Sequence, residues 1–95
     1  MRLRKSAIAE QDLLAIWDYI AQDNPDAADR FWHRLDERFQ SLLKGPLIGE
    51  SQDRFRSGLR SVIEGNYIIF YEPRADEILI CRVLHAARRS EDMLS

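Results

Sequence analysis

Arg82, His85, Arg88 and Arg89 fall within eight residues, and no acid follows them until Glu91. Guanidinium groups bind oxyanions, and an imidazole can carry a proton near neutral pH, so any chemistry or anion binding would be sought here first. Arg82 alternates with Ile80 and Leu84. A charge on an otherwise apolar face needs a partner or water. Two readings stay open. The stretch is either a polar chain end with one ion pair, to an acid of the first helix, or a patch that binds an anion or docks a partner. Cys81 and His85 could form a nucleophile and base, but Cys81 alternates with Leu79 and Val83, where a buried, inert thiol belongs. His33 reads as an exposed helix residue, and Asp36-Glu37 as part of a solvated face.

Other chemistries lack their spacing. There is no HxxxH or CxxC pair for a metal, no glycine-rich phosphate loop and no Gly-x-Ser-x-Gly elbow, so no cofactor is expected. The formal net charge of -2 gives no whole-molecule case for nucleic-acid binding. The single cysteine forms no internal disulfide and fits a reducing compartment. No apolar run approaches a membrane span, and no apolar stretch follows the basic N-terminus as a signal peptide requires. A cytoplasmic location, without membrane association, is expected.

Several elements must position these residues. The 95 residues suffice for one domain, 1–95, with a modest core. Residues 1–5 suggest a short, charge-protected edge strand, and Ser6 a helix N-cap. Leu13, Ile16, Trp17 and Ile20 build one apolar stripe, which predicts a helix over Ala7–Gln22. Asn24-Pro25 caps and starts a second helix that runs to about Lys44. It carries Ala28, Phe31, Trp32, Leu35, Phe39, Leu42 and Leu43. Gly45, expected in a left-handed turn, and Pro46 stop it. So short a break implies an antiparallel helical hairpin. Trp17 and Trp32 read either as core or as anchors for a partner. Residues 45–57 have no period and predict a loop. The period then changes to two, predicting strands at Leu59–Ile63, Tyr67–Tyr71 and Ile78–Leu84, with turns at 64–66 and 73–76. In the last strand Ile78, Ile80, Arg82 and Leu84 are expected on one face, and Leu79, Cys81 and Val83 on the other. The simplest fold is α+β, a helical hairpin across an antiparallel sheet of three or four strands.

Several fragments resemble the ParE toxins. They are Asp12-Leu13, Ile16-Trp17-Asp18-Tyr19-Ile20-Ala21, Asn24-Pro25, Ala28, Gly58-Leu59-Arg60-Ser61, Asn66-Tyr67, Ile69-Phe70-Tyr71 and 80–88. They lie in the order found in the ParE/RelE superfamily and span nearly the whole chain. The resemblance implies a RelE-like fold and a type II toxin neutralised by a ParD-type antitoxin. It also implies DNA gyrase as target, or, on the RelE branch, messenger RNA cut on the ribosome. RNA cleavage needs a base, a cation at the phosphate and an acid. Here Ile68 stands where RelE-type chains carry arginine, no tyrosine follows Tyr71, and Glu91 and Asp92 lie in the tail. Arg89 also stands where the common ParE ending has an Asp. The ParE branch is therefore favoured, as a non-enzymatic toxin without sequence-specific DNA binding of its own. On that reading Arg60, Arg82, His85 and Arg88 contact the target. Trp17, Ile20, Trp32 and Phe55 anchor an antitoxin that lies along the hairpin and adds to a sheet edge.

Overall fold

The computed structural model describes residues 1–87. Strand β1 (Arg2–Lys5) leads into helix α1 (Ala7–Asp23) and helix α2 (Pro25–Lys44). Strands β2 (Glu50–Ser51), β3 (Arg60–Glu64), β4 (Tyr67–Pro73) and β5 (Glu77–His85) follow. The hairpin forms as its caps dictate. The Ser6 side chain accepts the Ala9 N–H at 3.0 Å, and the Asn24 side chain accepts the Ala27 N–H at 3.1 Å. Each satisfies one of the free donors at a helix start. Gly45 does end α2, but its φ of -137° is not left-handed. Its N–H bonds back to the Ser41 carbonyl, and Ile48 N–H then bonds to the Gly45 carbonyl, so a turn through Pro46 replaces the left-handed cap. Positive φ occurs instead at Gly58 and Gly65.

The expected sheet of three or four antiparallel strands is in fact a five-stranded mixed sheet, in the order β1-β5-β4-β3-β2. Strands β2 to β5 are antiparallel neighbours, whereas β1 pairs parallel with β5, Arg2 opposite Glu77 and Lys5 opposite Ile80. Parallel neighbours need a long connection. The hairpin and the meander together provide it. Strand β2, two residues inside the predicted loop, is too short to show a period.

One irregularity reassigns faces. The β4–β5 register passes from Phe70↔Arg82 to Tyr71↔Ile80, so Cys81 bulges out of the ladder. An extra residue interrupts strict alternation. Ile78, Ile80 and Val83 therefore join the core beneath the helices, with Leu13, Phe31, Leu35, Phe39, Leu42, Ile69 and Tyr71. Leu84 joins Leu59, Phe70 and Cys81 in a second cluster on the opposite face. The expected grouping of Leu84 with Ile78 and Ile80, and of Val83 with Cys81, is thus exchanged beyond the bulge. Neither tryptophan belongs to the buried core. Trp17 is half-buried and Trp32 is 40% exposed.

The loop before β3 is held from inside. The fully buried Tyr71 donates its hydroxyl to the Pro46 carbonyl at 2.8 Å and accepts the Gly49 N–H at 2.9 Å. A Cβ at Gly49 would lie 2.5 Å from the Tyr71 hydroxyl and 2.8 Å from the Ser61 carbonyl. Neither a buried ring nor strand backbone can yield cheaply. Gly49→Ala is expected to cost about 1–3 kcal/mol by overpacking. It should appear as a lower urea midpoint with an unchanged slope. No helix among the described residues is long and apolar enough to cross a membrane.

Candidate functional site

The C-terminal half of α1 and the N-terminal half of α2 do not cover the end of the sheet completely. They leave an open groove of about 870 Å³. One wall is Asp12, Ile16, Tyr19 and Ile20 of α1, with Phe31 and Arg34 of α2. The floor and far wall are Gly65, Asn66 and Tyr67 at the β3–β4 turn, with Val83 to His85 and Ala87 at the end of β5. Three rings meet along it. Phe31 and Tyr67 have centroids 4.9 Å apart, and Tyr67 meets His85 edge-on at 5.3 Å. Arg34 sits 5.8 Å from the Phe31 ring. Partial burial pushes the Tyr67 phenol above its ordinary pKa. Tyr19 stands at the rim, 70% exposed. An aromatic hollow with polar tips is the form that partner-binding sites take.

The four residues expected to contact the target have different fates. Arg82 is drawn into the fold. Asp12 on α1 accepts its Nε at 2.8 Å and its Nη2 at 3.1 Å, and the same carboxylate accepts the Val83 N–H at 3.1 Å. The ion-pair reading of Arg82 thus has its acid, and Asp12 also occupies the edge of β5 beyond the end of β1. Arg60 is half-buried, and its Nη1 donates to the carbonyls of Leu47 and Gly49 at 3.2 and 2.7 Å. His85 is exposed and lines the groove, its Nδ1 accepting the Ala87 N–H at 3.1 Å. Arg88 lies outside the described residues.

The four expected antitoxin anchors do not share one surface. Ile20 lines the groove. Trp17 lies one turn before Ala21 and one after Leu14, and Leu14 is 64% exposed. Trp32 borders a shallow hollow with Lys5, Leu35, Asp36 and Phe39. Phe55 packs against the second core cluster on the far side of the sheet, under the Arg54 guanidinium at 4.6 Å. Sequence periodicity missed Tyr19, Arg34 and Tyr67 as site residues. Tyr19 sits outside the apolar stripe of α1, and Tyr67 reads only as a strand residue until the bulge and the turn bring it to His85.

Cys81 is 8% exposed, and burial pushes its thiol up, away from the reactive thiolate. Arg56 Nη2, rather than His85, approaches the sulfur, at 3.1 Å. At the other end of the sheet, Glu77 is 6% exposed and accepts Nε and Nη2 of Arg4, the latter at 2.9 Å. That bond from Arg4, first, and the charges of Arg4, Arg2 and Arg74 hold its carboxyl below the ordinary carboxylate range. A depressed folded-state pKa means stabilisation present in full above the unfolded value and lost as pH falls through the folded one. Stability should therefore fall more steeply with acidification in the parent than in Glu77→Gln, below the ordinary carboxylate range. Parallel denaturation curves for the two proteins across that window would contradict the assignment.

A helical hairpin packed on a five-stranded mixed sheet, with an open groove at one end, is the frame these residues build. A chain of a solved structure described as the chromosomal ParDE TA system from P. aeruginosa shares the fold, with a TM-score of 0.72 and 23% identity. The match covers 90% of this chain and 95% of that one. A family model described as the ParE toxin of the type II toxin-antitoxin system, parDE, matches residues 3–90. The chain belongs to the ParE toxin family. No curated protein matches it.

Proposed function

We propose that this toxin acts in the cytoplasm by gripping DNA gyrase without breaking a bond, and that a ParD-type antitoxin silences it. Membership of the ParE family over residues 3–90 supports the pairing. The observation that carries the non-catalytic reading is the employment of two arginines. Arg82 is paired bidentately with Asp12, and Arg60 is spent on two loop carbonyls. Neither is arranged to stabilise charge developing on a phosphate, which needs donors aimed at the reacting oxygen. His85 and Arg88 are the remaining candidates for target contact. A supercoiling assay with purified gyrase tests this. Stoichiometric toxin should suppress supercoiling, and undiminished supercoiling would refute gyrase as the target.

The antitoxin reading rests on the groove. A segment that enters at Ile20 and Tyr19 finds an apolar floor and polar tips, and ordering on binding permits a wide wrap at an entropic cost. Trp32 and Phe55 lie on other faces, so a single tail touching all four anchors must pass around the hairpin and the sheet edge. The second reading, a ribosome-dependent ribonuclease, is favoured by one observation: His85, Tyr67 and Arg34 line the same groove, an imidazole, a hydroxyl and a cation. Codon-phased messenger-RNA 5′ ends after induction would support it over gyrase binding. A third reading, an inactive antitoxin-binding relative, predicts no growth arrest on expression alone.

A further inference from the structure

We propose that the sheet face turned away from the helices, at the end where β4 turns into β5, binds the phosphate backbone of nucleic acid without regard to sequence. The net charge of -2 conceals a division. Residues 7–44, the helical layer, hold eight Asp/Glu against four Arg/Lys. The remaining described residues, 1–6 and 45–87, hold eight Arg/Lys against six Asp/Glu. Four arginines of that basic remainder are gathered by two carboxylates. Arg2, Arg4 and Arg74 lie 3.7, 2.9 and 3.6 Å from Glu77, and Arg74 and Arg56 lie 3.0 and 3.3 Å from Glu72.

The burial of this network is uneven. The Glu77 and Glu72 side chains are 8% and 19% exposed, whereas Arg2, Arg4, Arg56 and Arg74 are 75%, 50%, 53% and 43% exposed. These two acids lie beneath and the guanidinium groups face out, with Asp76 exposed at the same turn. Each guanidinium carries five N–H donors, far more than two carboxylates can accept, so the array presents surplus donors to solvent. Its side chains are already held in place, which lowers the ordering cost of binding. The face follows from the strand registers. Arg4 pairs with Leu79, and Glu72 also pairs with Leu79, whose side chain packs on the cluster opposite the helices. The choice of phosphate over a protein partner follows from composition. Interface cores need apolar anchors, and Met1 is the one large exposed apolar residue adjacent in sequence to these arginines.

The test is fluorescence anisotropy of the full chain with a labelled random duplex of about 20 base pairs, from about 50 to 200 mM salt. Binding should weaken with salt with a log–log slope of about -2 to -4, one counterion step per phosphate contact. Arg2→Gln and Arg56→Gln should each flatten that slope by about 1, while Arg30→Gln on the exposed side of α2 should leave it unchanged. Arg2→Lys and Arg56→Lys keep the charge and should restore the slope, which separates lost phosphate contacts from lost folding. No saturable binding at the lowest salt overturns the proposal. So does a slope that ignores Arg2 and Arg56, or polyglutamate competing better than unlabelled duplex, which would mark the face as a dock for an acidic peptide.

Discussion

Tyr19→Ala is expected to weaken binding of the ParD-type antitoxin by about 30-fold, equivalent to about 2 kcal/mol, while leaving the free toxin as stable as the parent. The reason is the difference between its two environments. In the free chain Tyr19 is 70% exposed, so truncation removes little packing. At the rim of the groove, beside Ile16, Ile20 and Tyr67, it is the ring a partner would bury most completely. Burying an aromatic side chain fully is worth about 1.5–3 kcal/mol, which sets the size of the effect. Isothermal titration of purified antitoxin into each toxin measures it directly. An unchanged dissociation constant would place the antitoxin elsewhere, for example on the Trp32 surface of the hairpin. Trp32→Ala makes the comparison informative, since Trp32 borders a different hollow and would respond only to a tail that continues around the hairpin.

Asp12→Ala should produce the largest loss of stability among single surface-proximal changes, about 2–4 kcal/mol. One carboxylate there accepts two bonds from Arg82 and one from the Val83 N–H. The side chains of Arg82 and Asp12 are only 23% and 13% exposed, so water replaces these bonds poorly. The same carboxylate ties α1 to β5 beyond the last residue of β1, where the strand edge would otherwise stand open. For a domain of this length the loss corresponds to a melting point lowered by on the order of 10–20 °C. Asp12→Asn keeps an acceptor for Val83 and should lose about half as much. A melting point within error of the parent for Asp12→Ala would mean that this ion pair holds nothing together.

Much of the helical layer was legible from residue order because its signals are local. Ser6 and Asn24 cap the helices they precede, Pro25 opens α2, and Gly45-Pro46 closes it. The stripe of α2 is buried at Ala28, Phe31, Leu35, Phe39 and Leu42, as its spacing predicts. The three long strands also lie where the period of two places them. The misreadings share another cause. Strand β2 exists only because Glu50 and Ser51 meet Ser61 and Arg60 across a loop. The faces of Val83 and Leu84 depend on the bulge at Cys81, which arises from pairing with β4 and leaves no trace in alternation.

Residue types and their spacing along the chain thus determined the hairpin and the meander, whose last strand carries Arg82 and His85. Caps, apolar stripes and turn residues act within a few positions of one another, so neighbours in sequence suffice to specify them. Tertiary structure alone decided which charges are spent and which are presented. Asp12 reaches Arg82 across 70 residues, and Glu77 reaches Arg4 across 73. Tyr19, Phe31, Tyr67 and His85 become one groove only when helix and sheet close on each other. Electrostatic and aromatic contacts act over a few ångströms of space, and sequence distance carries no record of that proximity.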